Sequence, residues 1–146
     1  MKIFLKTEDE INLMRKANQL VGLTLAELGK HIKPGVTTLH LDRIAEEFIR
    51  DHGAIPTFKN FPNPYGESFP ASICTSINDV VVHGIPSDND VLDDGDIISI
   101  DCGTLLDGYN GDSCYTFAVG DISDQKRKLL EVTKKSLFLG IEQAVA

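Results

Sequence analysis

One dipeptide limits the folds open to this chain more than any other feature. Asp107-Gly108 separates two long β-forming runs, GDIISIDCGTLL and YNGDSCYTFAVG. An Asp-Gly pair in that setting is the strongest short-range signal of a two-residue hairpin, because both turn positions need positive φ. A two-residue turn fixes the register, so Asp101 faces Cys114 and Gly103 faces Asp112. Side chains alternate between the faces of a strand, which puts 101, 103, 112 and 114 on one face. Asp101 and Asp112 become diagonal neighbours, about 7–8 Å apart at the backbone. Gly103 leaves room for a third body between them.

Such a pair needs an electrostatic remedy. Asp is depleted in strands, and adjacent carboxylates repel. A divalent cation with oxygen ligands relieves the repulsion directly. A Lys or Arg partner would do the same, as would one carboxyl with a raised pKa. Residues 95–120 contain no Lys or Arg. The structural alternative is a slipped register, with one Asp a solvated turn residue.

Composition excludes several classes. With 146 residues, the chain fits one domain. At 42% hydrophobic and 25% charged residues it is too apolar for disorder. No run approaches the roughly 18 apolar residues of a membrane span. The first residues, MKIFLKTEDE, have too short an apolar core for a signal peptide. A net charge of −8 argues against direct nucleic-acid binding and anionic membranes. Cys74, Cys102 and Cys114 form no CxxC pair and are odd in number, which suits reduced thiols in a cytoplasmic protein.

Three helices are expected. Residues 7–31 carry a capping box, Thr7 with Glu10, and one apolar face. Thr37-Thr38 caps a second helix, and Gly53 stands where a left-handed cap belongs. Ser123 caps a third, with Leu129, Leu130, Thr133, Leu137, Ile141 and Val145 on one side. Its pattern still runs near Ala146, so the chain reads as cut. Between helices two and three, residues 54–70 form a Pro-rich aromatic loop, and ICTSI (73–77) and DVVVHGI (79–85) read as strands.

His83 stands at the end of the second of these runs, beside a turn, where site residues often project. Metal ligand, general acid or base, hydrogen-bond donor and backbone-bonded structural histidine all fit. His31, His40 and His52 lie among charged residues and read as surface side chains. Phe58, Phe61 and Phe69 can line an apolar pocket with Cys74, or simply pack the loop onto the core.

The run SINDVVVHGIP, then GDIISIDCG, then LLDGYNGDSCYTFAVG resembles the type I methionine aminopeptidase family. TEDEINLMRKA and GVTTLHLDRIAEEFI are similar to it too, so the resemblance covers essentially the whole chain. It implies an α+β pita-bread fold, an antiparallel sheet with helices on one face. Residues 1–146 would be the N-terminal half of the catalytic domain. It implies two divalent metal ions (Mn, Fe, Co or Zn) in the complete enzyme, with Asp101 and Asp112 as two of five ligands and Asp112 bridging. His83 resembles the histidine that contacts substrate and assists at the scissile amide. Phe58, Phe61, Phe69 and Cys74 resemble the pocket for the Met side chain. Asn78 and Val80 fall where some members bind a monovalent cation. NPYGES lengthens the loop between Phe61 and Phe69 relative to the family.

The implied reaction is removal of initiator Met from nascent proteins with a small second residue. The implied substrate is a peptide or nascent chain beginning with Met, met in the cytoplasm at the ribosome by a monomeric enzyme. The remaining ligands, one His and two Glu, have no counterpart here, so this chain alone is expected to be inactive. A metal-free binding module and a proline-specific aminopeptidase relative are the alternative readings.

Overall fold

The elements follow the capping and turn signals, in a computed structural model that describes residues 3–64 and 66–145. In chain order they are α1 (Glu8–Gly29), α2 (Thr38–Asp51), β1 (Ile55–Pro56), β2 (Ile73–Ile77), β3 (Ile97–Leu106), β4 (Tyr109–Ala118) and α3 (Asp124–Glu142). Thr7 and Glu10 form the reciprocal capping box at the start of α1. Thr37 caps α2, and Gly53 follows it with φ of 74°. Ser123 caps α3.

The hairpin turns at Asp107 and Gly108, with φ of 51° and 81°. Every β3–β4 pair has the expected register, from Leu106↔Tyr109 to Ile97↔Ala118, including Asp101↔Cys114 and Gly103↔Asp112. On its other side β3 pairs antiparallel with β2, Cys74 facing Asp101, and with the two-residue β1. The aromatic-loop reading of 54–70 did not foresee β1. Its Pro56 is tolerated because β1 is a sheet edge.

α1 and α2 lie on one face. Ile98, Ile100 and Cys102 of β3 are buried with Val21, Leu25 and Leu28 of α1 and Leu41, Ala45 and Ile49 of α2. The approach of α1 is close. The Thr104 hydroxyl donates to the Ala17 carbonyl at 3.1 Å, and a Cβ on Gly111 would stand 2.5 Å from that oxygen. Only glycine at 111 lets helix backbone rest on sheet backbone.

One expectation fails. Residues 79–85 form no strand. Asn78 and His83 take positive φ, 50° and 59°, which breaks any extended ladder. Only Gly84 joins the sheet, its carbonyl accepting the Thr75 N–H at 2.9 Å. Between them Val80, Val81 and Val82 are exposed. The apolar side of α3 is uncovered: no α3 residue is buried, and Leu137 is 61% exposed. The helix ends at Glu142, capped by Gln143. Ala146 lies outside the described residues.

Asp42 ties α2 to β2. One carboxylate oxygen accepts the N–H groups of Ser72 at 2.8 Å and Ile73 at 3.0 Å, in a buried setting. Burial pushes its pKa up, and the two backbone donors oppose that only in part. Asp42→Ala would orphan two buried donors and is expected to cost about 2–4 kcal/mol in urea unfolding. Asp42→Asn keeps an accepting oxygen and is expected to cost less. The raised pKa means the folded state holds the proton more tightly than the unfolded state. That contribution is fully present below the ordinary value of 3.8 and is lost as pH rises through the folded value. The stability gap between wild type and Asp42→Asn should therefore move in the asparagine's favour as pH rises through that window.

Candidate active site

The sheet face turned away from α1 and α2 carries the chemistry. The register sets Cys74, Asp101 and Cys114 side by side across three strands, with Gly103 and Asp112 in the adjoining row. Asp101 is half-buried and Asp112 exposed. Burial, the Asp112 charge and a hydrogen bond between the two carboxyls push Asp101 above its ordinary pKa. The nearby His83 charge and the Cys102 N–H pull less strongly the other way. Among the described residues neither carboxylate has a Lys or Arg ion-pair partner. Of the three remedies for the repulsion, the basic partner is thus absent.

Gly103 has a defined use. A Cβ there would strike the Thr57 hydroxyl and come within 2.8 Å of the Phe58 ring. The third body admitted by Gly103 is an aromatic ring, laid against the sheet beside the two carboxylates. Phe61 and Phe69 are drawn in by the loop's stem. Phe61 donates its N–H to the Phe58 carbonyl at 2.9 Å, Phe69 to the Phe61 carbonyl at 3.0 Å, and Asn60, at φ 64°, to the Phe69 carbonyl at 2.8 Å. Residues 62–68 lie beyond this stem, so the length of the loop does not separate the rings. Tyr65, within that loop, lies outside the described residues.

These parts form one cleft of about 410 Å³. Asp101, Asp112 and His83 line one part of it; Phe58, Phe61, Phe69 and Cys74 line the rest. All seven predicted side chains meet there. Ile85 also lines it and was missed. The positive φ of His83 breaks the extended period there, so strand alternation carried no signal for it. Burial pushes the Cys74 thiol up to about 12, with the Asp101 charge acting in the same sense, so Cys74 is a neutral, apolar wall. His31, His40 and His52 take no part; His31 and His52 bond within their own helices. Asn78 and Val80, the candidate monovalent-cation position, lie at the root of the His83 arm, where the Lys126 ammonium sits 2.9 Å from the Asn78 side-chain oxygen.

The donor set fits divalent metal in kind but not in number. Two carboxylates offer the hard oxygens such ions prefer. Among the described residues no three His, Cys, Asp or Glu side chains gather closely enough to hold an ion by themselves.

The family model for metallopeptidase family M24 matches residues 12–146. A methionine aminopeptidase from Clostridium acetobutylicum is 57% identical over 98% of this chain, and methionine aminopeptidase 1 from Bacillus subtilis is 54% identical over 97%. In each case the match covers 55% of the relative, so the chain spans about half the length of the curated relatives it matches. The crystal structure of methionine aminopeptidase from Rickettsia prowazekii superposes with a TM-score of 0.87 at 42% identity, covering 94% of this chain and 53% of that one. The architecture is accordingly that of the pita-bread fold.

Gly103→Ala tests the floor of the cleft. Its methyl would collide with Phe58 and Thr57, and overpacking of this kind costs about 1–3 kcal/mol. Urea unfolding should show that loss, and Phe58→Ala in the Gly103→Ala background should cost less than Phe58→Ala in wild type.

Proposed function

The chain belongs to metallopeptidase family M24, and on that premise we propose that it is the N-terminal half of a methionine aminopeptidase catalytic domain. One observation carries this reading: two carboxylates that have no Lys or Arg ion-pair partner among the described residues share a sheet face and line one cleft with His83 and three Phe rings. The reaction is removal of initiator Met from a nascent or synthetic peptide whose second residue is small. The enzyme acts as a cytoplasmic monomer on chains emerging from the ribosome, without binding nucleic acid itself.

Each residue has a task set by its surroundings. Phe58, Phe61, Phe69 and Cys74 remove the unbranched Met side chain from water, and the neutral thiol keeps that wall apolar. Asp101 and Asp112 would hold the metal ions. Divalent ions, when bound, supply Lewis acidity and lower the pKa of water. Mn, Fe, Co and Zn all suit such a site, availability deciding among them. His83, projecting beside both carboxylates, donates a hydrogen bond to the oxygen on which charge develops at the scissile amide. One His and two Glu from the other half complete the ligand set, since oxygen-bound ions want about six donors each.

Two assays test the reading. This chain alone, freed of full-length contaminant and given excess Mn or Co, is expected to hydrolyse no Met-Ala-Ser. Joined to the remaining part of the Clostridium acetobutylicum relative, in place of the segment it matches, it is expected to release Met. In that chimera His83→Ala should lower kcat by about 10²–10⁴-fold with metal content unchanged, whereas Asp112→Asn should lower metal content. A folded chimera that binds no metal and releases no Met would overturn the reading, as would turnover by the chain alone.

A further inference from the structure

Both legs of the aromatic loop are held by one row of α2. Asp42, Glu46 and Arg50 recur at four-residue spacing, so they share a face of the helix. That row runs beside the buried one of Leu41, Ala45 and Ile49. Asp42 takes the returning leg, accepting the Ser72 and Ile73 N–H groups. Glu46 takes the outgoing leg. One of its oxygens accepts from the Lys59 ammonium, and the other accepts from Arg50 Nε at 2.9 Å. The outgoing leg has few other attachments. β1 is two residues long, and Thr57 adds one bond, its N–H donating to the Gly103 carbonyl at 3.1 Å. Phe58 then lies against Gly103, and Asn60 turns the chain back at φ 64°. Lys59 stands between those two.

We propose that Lys59, latched to Glu46, is a positioning residue for the aromatic side of the cleft and so sets its fit to the methionine side chain. The surroundings of Glu46 give the reason. Arg50 already pairs with it on the same helix, at the spacing natural to a helical ion pair. The carboxylate therefore has a cation without Lys59, whereas the loop has no comparable anchor at this point. Ordering a lysine stem costs conformational entropy, which only a partner already fixed in place offsets. Glu46 is such a partner, since Arg50 holds it from the other side. The Lys59 hydrogen bond opposes the effect of burial and, with Arg50, keeps the carboxyl below its ordinary pKa, hence charged. Phe58 is then bracketed, with Thr57 fastened to β3 and Lys59 to α2. Phe61 hangs its N–H on the Phe58 carbonyl, so a shift at Phe58 passes to the second ring.

The fit to methionine rests on the proposed activity; the placement of the ring does not. Two readouts separate them. In the chain labelled with fluorophenylalanine, the Phe58 resonance is assigned by its loss in Phe58→Leu. Lys59→Met, which keeps the aliphatic stem, and Glu46→Ala should each displace it. The double variant should displace it no further than the larger single change, because both remove one bond. Lys59→Arg and Arg50→Ala should stay near wild type. In the chimera with the Clostridium acetobutylicum part, Lys59→Met and Glu46→Ala should raise KM for Met-Ala-Ser about twofold to fivefold, the factor of one partly exposed ion pair. There kcat and metal content should hold, and Lys59→Arg should keep the wild-type KM. A Phe58 resonance unmoved in both single variants would overturn the inference. So would displacements that add in the double variant, Lys59→Arg behaving as Lys59→Met, or an active chimera whose KM does not change. A wild-type chimera that releases no Met counts against the proposed activity, and the fluorine spectra then decide the role of Lys59. Should circular dichroism show Lys59→Met unfolded, Lys59→Gln takes its place under the same criteria.

Discussion

The register of β3 against β4 is the constraint on which the rest depends. Because side chains alternate, a slip of one residue would part Asp101 and Asp112 to opposite faces, one of them toward the helix-packed core. The turn chemistry of Asp107-Gly108 sets that register locally. Contact with α1 locks it from outside, since only Gly111 and Thr104 suit the Ala17 carbonyl. Local and tertiary preferences point to one pairing. β3 then transmits it to β2 and β1, so a single two-residue turn decides which side chains of three other strands face the cleft.

That dependence explains what could be read from the chain. The placement of Asp101, Asp112 and Cys114 follows from a turn type and a period of two, both local properties. The caps at Thr7, Thr37 and Ser123 are local too. What could not be read was decided by partners distant in sequence. DVVVHGI has the composition of a strand, yet a strand exists only where an edge is free to pair. Here β2 offers a bond to Gly84 alone, and the positive φ of Asn78 and His83 turns the valines outward. The apolar stripe of α3 is a correct reading of amphipathicity, but amphipathicity does not supply the surface that covers it. The same limit applies to Gly103: that it leaves room is legible in the sequence, whereas the Phe58 ring that takes the room comes from a loop forty-five residues earlier.

The cleft shows a division between what is rigid and what is presented. Asp101 and Cys74 stand on central strand positions backed by packed core, the kind of support that fixes a side chain to within tenths of an ångström. His83 and the aromatic rings are delivered by irregular segments tied at their ends, His83 between Asn78 and Gly84, the rings by the Asn60–Phe69 stem. The carboxylates thus sit on the scaffold, while the histidine and the aromatic rings sit on tethers.

The exposure of α3 also has a meaning for motion. A helix that buries none of its side chains draws no support from the core, and its backbone bonds open at the low cost of an isolated helix. The Lys126 tether holds its first turn, but from Leu129 onward nothing in the described residues resists fraying. The chain is therefore two bodies thermodynamically: a sheet with α1 and α2 whose innermost amides exchange only on global unfolding, and a C-terminal helix whose amides exchange through local opening. Amide exchange would fall in a step along α3, from the tethered turn outward, while β3 remained protected.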